Sequence, residues 1–164
     1  MVLKRMAVML FTICFFFAAN GSFAAPQYDT RALQKEGWDL YQLKKYNESI
    51  EKFNEALKID RDNPMILEHL ALAHYELNHY KEAIKYFSEA NSISPSPYRY
   101  KMIGWCYWKI GEPQLAIEAF KESIKIRPDE KIRRFVAKYY LDLKDYDAAI
   151  MFLEGTKGQR SKQI

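Results

Sequence analysis

From Thr30 onward the apolar side chains recur at intervals of three and four, the spacing that puts residues on one face of a helix. The pattern then repeats at a longer interval. Ser49–Asp60 (SIEKFNEALKID), Ala83–Ser94 (AIKYFSEANSIS), Ala116–Arg127 (AIEAFKESIKIR) and Ala149–Thr156 (AIMFLEGT) begin 34, 33 and 33 residues apart. Four residues into each stand Phe53, Phe87, Phe120 and Leu153, and seven residues in stand Ala56, Ala90, Ser123 and Thr156. Small, large and small at spacings of four and three share one helical face. Twelve residues before each start comes another small residue, Gly37, Ala71, Gly104 or Ala137. That predicts a second helix upstream, touching the first at the small residue. Turns are predicted near Lys44-Lys45, Asn78-His79, Gly111-Glu112 and Lys144-Asp145, with Asn63 and Ser96 as N-caps ahead of Pro64 and Pro97.

This phased set of small, aromatic and proline positions resembles the tetratricopeptide repeat family. The resemblance implies an all-α fold, an α-solenoid of about four helical hairpins wound as a right-handed superhelix with a concave inner surface. The expected units are 30–63, 64–96, 97–129 and 130–156, preceded by a short lead-in, 25–29, and followed by a basic polar tail, 157–164. Arg133 in place of a large apolar residue, and Ser49 in place of alanine, read as end effects of the array.

The first 24 residues read differently. Lys4 and Arg5 precede thirteen uncharged residues, Ala7 to Ala19, and small residues follow at Ser22 and Ala24. This is the pattern of a secretory signal peptide cut after Ala24. A membrane span takes about 20 apolar residues, so a permanent anchor is not expected. An exported protein follows, in the periplasm or, as the alternative, outside the cell. The formal charge is +4, and it halves once Lys4 and Arg5 leave. Both signs are mixed along the rest of the chain, which gives no reason to expect nucleic acid as partner. Cys106 is then the one remaining cysteine, placed between Trp105 and Tyr107 as a small core residue rather than a disulfide partner.

No catalytic pattern emerges. His69, His74 and His79 are spaced by five, which turns each about 140° from the last on a helix and rules out one shared face. Paired cysteines, a His-Glu-x-x-His motif, a glycine-rich phosphate loop and a Gly-x-Ser-x-Gly elbow are all missing. Carboxylates alternate with lysines as on solvated helix faces. Neither a metal nor another cofactor is expected, and the chain does not read as an enzyme. Asn47-Glu48-Ser49 matches a glycosylation acceptor but falls at a helix start.

Binding is the better expectation. By the resemblance, first helices line the concave groove, and the residues eleven and eight places before each second-helix start point into it. Those are Trp38, Leu72, Trp105 and Lys138, then Tyr41, Tyr75, Trp108 and Leu141. Seven of these eight are large and apolar or aromatic, the residue types enriched at interface hot spots. Around them stand Arg31, Gln34, Lys101, Lys109, Lys131 and Arg134, with Glu68 and Glu76 against them, so positive charge gathers toward units three and four. The candidate partner-binding groove is therefore Trp38, Tyr41, Leu72, Tyr75, Lys101, Trp105, Trp108, Lys109 and Arg134. Its expected occupant is an extended or helical peptide with apolar anchors and some acidic character. Packing of the tyrosine row against neighbouring units stays open as the other reading. The lysine-asparagine clamp that some family members use for a C-terminal carboxylate is not expected, because Gln34 and Trp38 hold the first-unit positions. Ile150, Met151, Phe152 and Leu153 are expected to be half covered, either packed back on the array or available for self-association or a partner helix. The reading is a non-catalytic scaffold of a bacterial cell envelope that binds a protein or peptide. Its alternative is a periplasmic chaperone or carrier.

Overall fold

A computed structural model describes residues 29–154. The expected leader, 1–24, the lead-in as far as residue 28, the end of the fourth unit at 155–156 and the tail lie outside the described residues. Among the described residues there are eight α-helices and no strand. They are α1 (Thr30–Gln42), α2 (Tyr46–Ile59), α3 (Pro64–Glu76), α4 (Tyr80–Ile93), α5 (Pro97–Lys109), α6 (Pro113–Ile126), α7 (Glu130–Asp142) and α8 (Tyr146–Glu154).

Local chemistry sets these boundaries. The carboxylate of Asp29 accepts the Arg31 amide, Asn63 accepts those of Met65 and Ile66, and Asp129 accepts those of Lys131 and Ile132. Each side chain thus satisfies first-turn donors that have no partner inside the helix. Ser96 differs from its expected capping role: it holds the position with extended backbone, but its hydroxyl makes no capping bond. Its own amide is instead received by the Asn91 side chain at 3.0 Å.

The first helices α1, α3, α5 and α7 end alike. Lys44, Asn78 and Lys144 take φ of 60° and Gly111 takes 81°. In the first hairpin the Lys44 amide donates to Tyr41 O and the Lys45 amide to Leu40 O, both at 2.9 Å, and the other three turns repeat this pair of bonds. This is a Schellman closure, which requires one left-handed residue. Glycine fits that conformation without strain, whereas lysine adopts it at a cost of roughly 1–2 kcal/mol.

Inside the first three hairpins the large residue of the second helix packs with the small residue of the first, whereas Leu153, the expected large residue of the fourth, is 40% exposed. Phe53, Phe87 and Phe120 are completely buried. A Cβ added to Gly37 would lie 2.8 Å from the Phe53 ring, and one added to Gly104 would lie 2.5 Å from Phe120. Ser49, read from the sequence as an end effect, has a structural role: its buried hydroxyl donates to Gly37 O at 2.7 Å. Ser123 likewise donates to Pro97 O at 2.7 Å. The glycosylation-type triplet is thus a helix start whose serine is locked in the hairpin interface.

Hairpins stack because each second helix packs on the following first helix, α2 on α3, α4 on α5 and α6 on α7, while α1 also touches α3. The result is an α-solenoid of helical hairpins, with the core running as a chain of clusters between successive helices. The α6–α7 joint brings the backbones together over a smaller stretch than the others. Rings fill that space: Trp105, Phe120 and Phe135 meet edge to face with centroids 4.8 to 5.5 Å apart.

Candidate functional site

The first helices place the expected groove residues side by side but do not leave them equally free. Trp38 on α1 stacks on Tyr41 one turn later, with ring centroids 5.0 Å apart, and leans on His69 of α3 at 4.5 Å. Tyr41 meets the edge of Tyr46 at 5.4 Å, and its hydroxyl donates to Glu76 Oε1 at 3.3 Å. Tyr75 meets Tyr80 at 5.6 Å. These rings are half-buried. Each is packed on neighbouring rings yet keeps part of its surface in solvent, as an aromatic anchor must.

Units three and four behave differently. Trp105 is wedged between Phe120 and Phe135, so most of its ring serves the joint between two hairpins. Trp108, one turn on, touches Phe135 and Tyr139 only by edges and keeps 38% of its surface in solvent. Leu72 is buried in the α3–α5 core, which makes it part of the wall rather than a contact surface. Two of the three candidate cations already have partners. Lys101 Nζ lies 3.7 Å from Asp129 and 5.7 Å from the Tyr98 ring centroid, and Arg134 lies 3.8 Å from Glu130. Lys109 is exposed. The positive charge read from the sequence is therefore partly neutralised, which weakens the expected preference for an acidic ligand.

Two features escaped the sequence reading. Arg99 is buried, and its Nε donates to Glu68 Oε2 at 2.6 Å while Nη1 donates to Ala90 O at 3.2 Å and to Ser94 O. Glu76 sits among tyrosines. The signal for Arg99 was available, because a charge stands there in the phase held by Ile66 and Ile132.

Cys106, His69 and His74 titrate away from their ordinary values because they are packed inside the array. Burial pushes the Cys106 thiol up to about 12, so it stays protonated and inert. Burial also lowers His69 and His74 below the usual histidine value, partly opposed by Glu68 and Glu82 respectively, while neighbouring His79 lowers His74 further. The Nδ1 atoms of His69 and His74 have no hydrogen-bond partner among the described residues. His69 rests against Trp38 and Phe53, and His74 stacks on Tyr86. Both bind a proton less readily folded than unfolded, so their contribution is complete above a pH of about 6.5 and declines as pH falls below it. Urea midpoints measured from pH 8 to 5 are expected to be level above about 6.5 and to fall below it, with a shallower fall in His69→Gln. A midpoint that rises on acidification contradicts this account of the two rings.

Among the described residues no cluster of His, Cys, Asp and Glu could hold a metal ion, and no helix is long and apolar enough to cross a membrane.

Family models described as TPR repeat or tetratricopeptide repeat match residues 37–78, 64–97 and 100–130, together more than half of the chain. The chain belongs to the tetratricopeptide repeat family. Tetratricopeptide repeats generally mediate protein–protein interactions, and proteins built of them are generally non-catalytic interaction modules. The chain is 30% identical over 131 residues to small glutamine-rich tetratricopeptide repeat-containing protein 2 of Saccharomyces cerevisiae, covering 79% of this chain and 38% of that protein. It thus spans well under half the length of the curated relatives it matches. Its repeats superpose on a crystal structure of MamA with a TM-score of 0.73 at 20% identity, covering 85% of this chain and 82% of that one. For a MamA fragment from Desulfovibrio magneticus RS-1 the TM-score is 0.68 at 18% identity, covering 84% and 78%. At these identities the likeness is one of fold.

Proposed function

We propose that this tetratricopeptide repeat protein is a non-catalytic adaptor of a bacterial cell envelope that holds a partner polypeptide against the aromatic side of its first helices. The observation that supports this most is the incomplete burial of Trp38, Tyr41, Tyr75 and Trp108, which stay partly exposed on α1, α3 and α5. Trp and Tyr offer large, rigid contact areas at low entropic cost, and interface hot spots are enriched in them. Trp105 contributes by fixing Phe135, on which Trp108 rests. The envelope setting is supported by the basic, apolar and small-residue pattern of residues 1–24.

The test is capture of partners from an envelope extract by the wild type, by Trp108→Ala and by Glu118→Ala, the last altering an exposed side chain on α6. The adaptor reading expects one stable partner, retained by Glu118→Ala and reduced at least about tenfold by Trp108→Ala. A broad set of unrelated unfolded chains would favour a carrier instead. Full retention by Trp108→Ala would remove this surface from the function.

A further inference from the structure

One carboxylate on this surface has aromatic neighbours and no cation. Glu76, the last residue of α3, is exposed, and none of the described lysines or arginines pairs with it. Acids close by are paired, Glu68 with Arg99 and Asp129 with Lys101. Glu76 is instead held from α1 by the Tyr41 hydroxyl at 3.3 Å, and Tyr46, at the start of α2, closes on Tyr41 edge to face at 5.4 Å. Tyr98, reaching from α5, is half-buried on the same core cluster as Tyr41. Three hairpins thus converge on one negative group.

We propose that Glu76, with the rings of Tyr41, Tyr46 and Tyr98, receives a positively charged side chain, an arginine or lysine of the polypeptide bound to this surface. The proposal rests on the groove reading above and adds the chemistry of one of its contacts. Aromatic faces carry negative potential and attract cations, and a carboxylate beside them supplies the full opposite charge. A guanidinium suits such a place because its plane stacks on rings while its fork of donors meets a carboxylate. The local field has the required sign. Tyr41 and Tyr46 ionise less readily than a free tyrosine, through burial first and Glu76 next, and Tyr98 does so through burial first, then Glu68 and Tyr75, with Glu76 a smaller cause. Lys101 lies over one face of Tyr98 but pairs with Asp129 and makes no ion pair with Glu76.

The test needs no partner protein. N-acetyl-arginine methylamide and its neutral isostere, N-acetyl-citrulline methylamide, are titrated into the whole chain while the aromatic NMR signals of Trp38, Tyr41, Tyr46 and Tyr98 are followed. The arginine probe is expected to move these signals saturably and to bind about tenfold more tightly than citrulline. Glu76→Gln is expected to bring it to the citrulline level, while Tyr41→Phe, which keeps the ring, retains most of the binding. Equal shifts from the two probes, no shift from either, or unchanged arginine binding in Glu76→Gln overturns the cation site. That failure is distinguishable from failure of the groove reading, because partner capture and its loss in Trp108→Ala are measured separately.

Discussion

Phe87→Ala is expected to lose about 3–5 kcal/mol of stability, a large share of what a domain of this size possesses. The ring is completely buried in the cluster that contains Ala71, Ala83, Ile103 and Cys106, so it joins both helices of the second hairpin to the first helix of the third. Truncation removes its transfer energy and leaves a cavity that helices on three sides cannot easily close. Position adds to the effect. In a linear stack each hairpin is stabilised only by its neighbours, so damage at the second of four weakens both halves, whereas damage at an end frays one unit. Phe87→Leu, which keeps most of the volume, is expected to cost clearly less than the alanine variant. Urea unfolding followed by far-ultraviolet circular dichroism checks both. An alanine variant within about 1 kcal/mol of wild type would mean that the phased aromatic is not the centre of the hairpin.

Arg99→Ala is expected to cost about 3 kcal/mol, although it removes no apolar core residue. Arg99 links three helices: it reaches Glu68 on α3, the Ala90 carbonyl on α4 and the Ser94 carbonyl just beyond α4, all from the first turn of α5. Removing it leaves a partly buried carboxylate without its cation and two carbonyls without this donor. The figure is set at the low end of the range for buried pairs because Glu68 keeps some contact with water. Since most of the loss comes from stranding Glu68, Arg99→Met combined with Glu68→Leu is expected to recover at least half of it. Equal losses in the single and double variants, measured by the same unfolding curves, would show that the carbonyl contacts rather than the ion pair hold this joint.

The hairpins were legible because their cause is periodic. One helix contact, repeated in the first three hairpins, leaves the same small and large residues at the same phase, and the turns at Lys44, Asn78, Gly111 and Lys144 close with the same pair of bonds. The binding surface was only partly legible, because a residue's phase tells which side of a helix it occupies but not what the next hairpin brings up against it. Trp105 and Trp108 lie three apart on α5, yet Phe120 and Phe135 enclose the first while the second meets only ring edges. Likewise Lys101 and Arg134 read as free charges until Asp129 and Glu130 are placed beside them. Arg99 shows the converse. It breaks the repeat where Ile66 and Ile132 keep it, and what replaces apolar packing there is a set of hydrogen bonds that no single repeat encodes.

The central claim, that the aromatic side of the first helices holds another polypeptide, is tested most directly by site-specific photo-crosslinking in cells. A benzophenone amino acid is placed in turn at Tyr75 and Trp108 on the first helices and at Glu118 on the exposed face of α6. The account predicts a discrete higher-mass adduct from Tyr75 and Trp108 and none from Glu118. Adducts from Glu118 alone would contradict it.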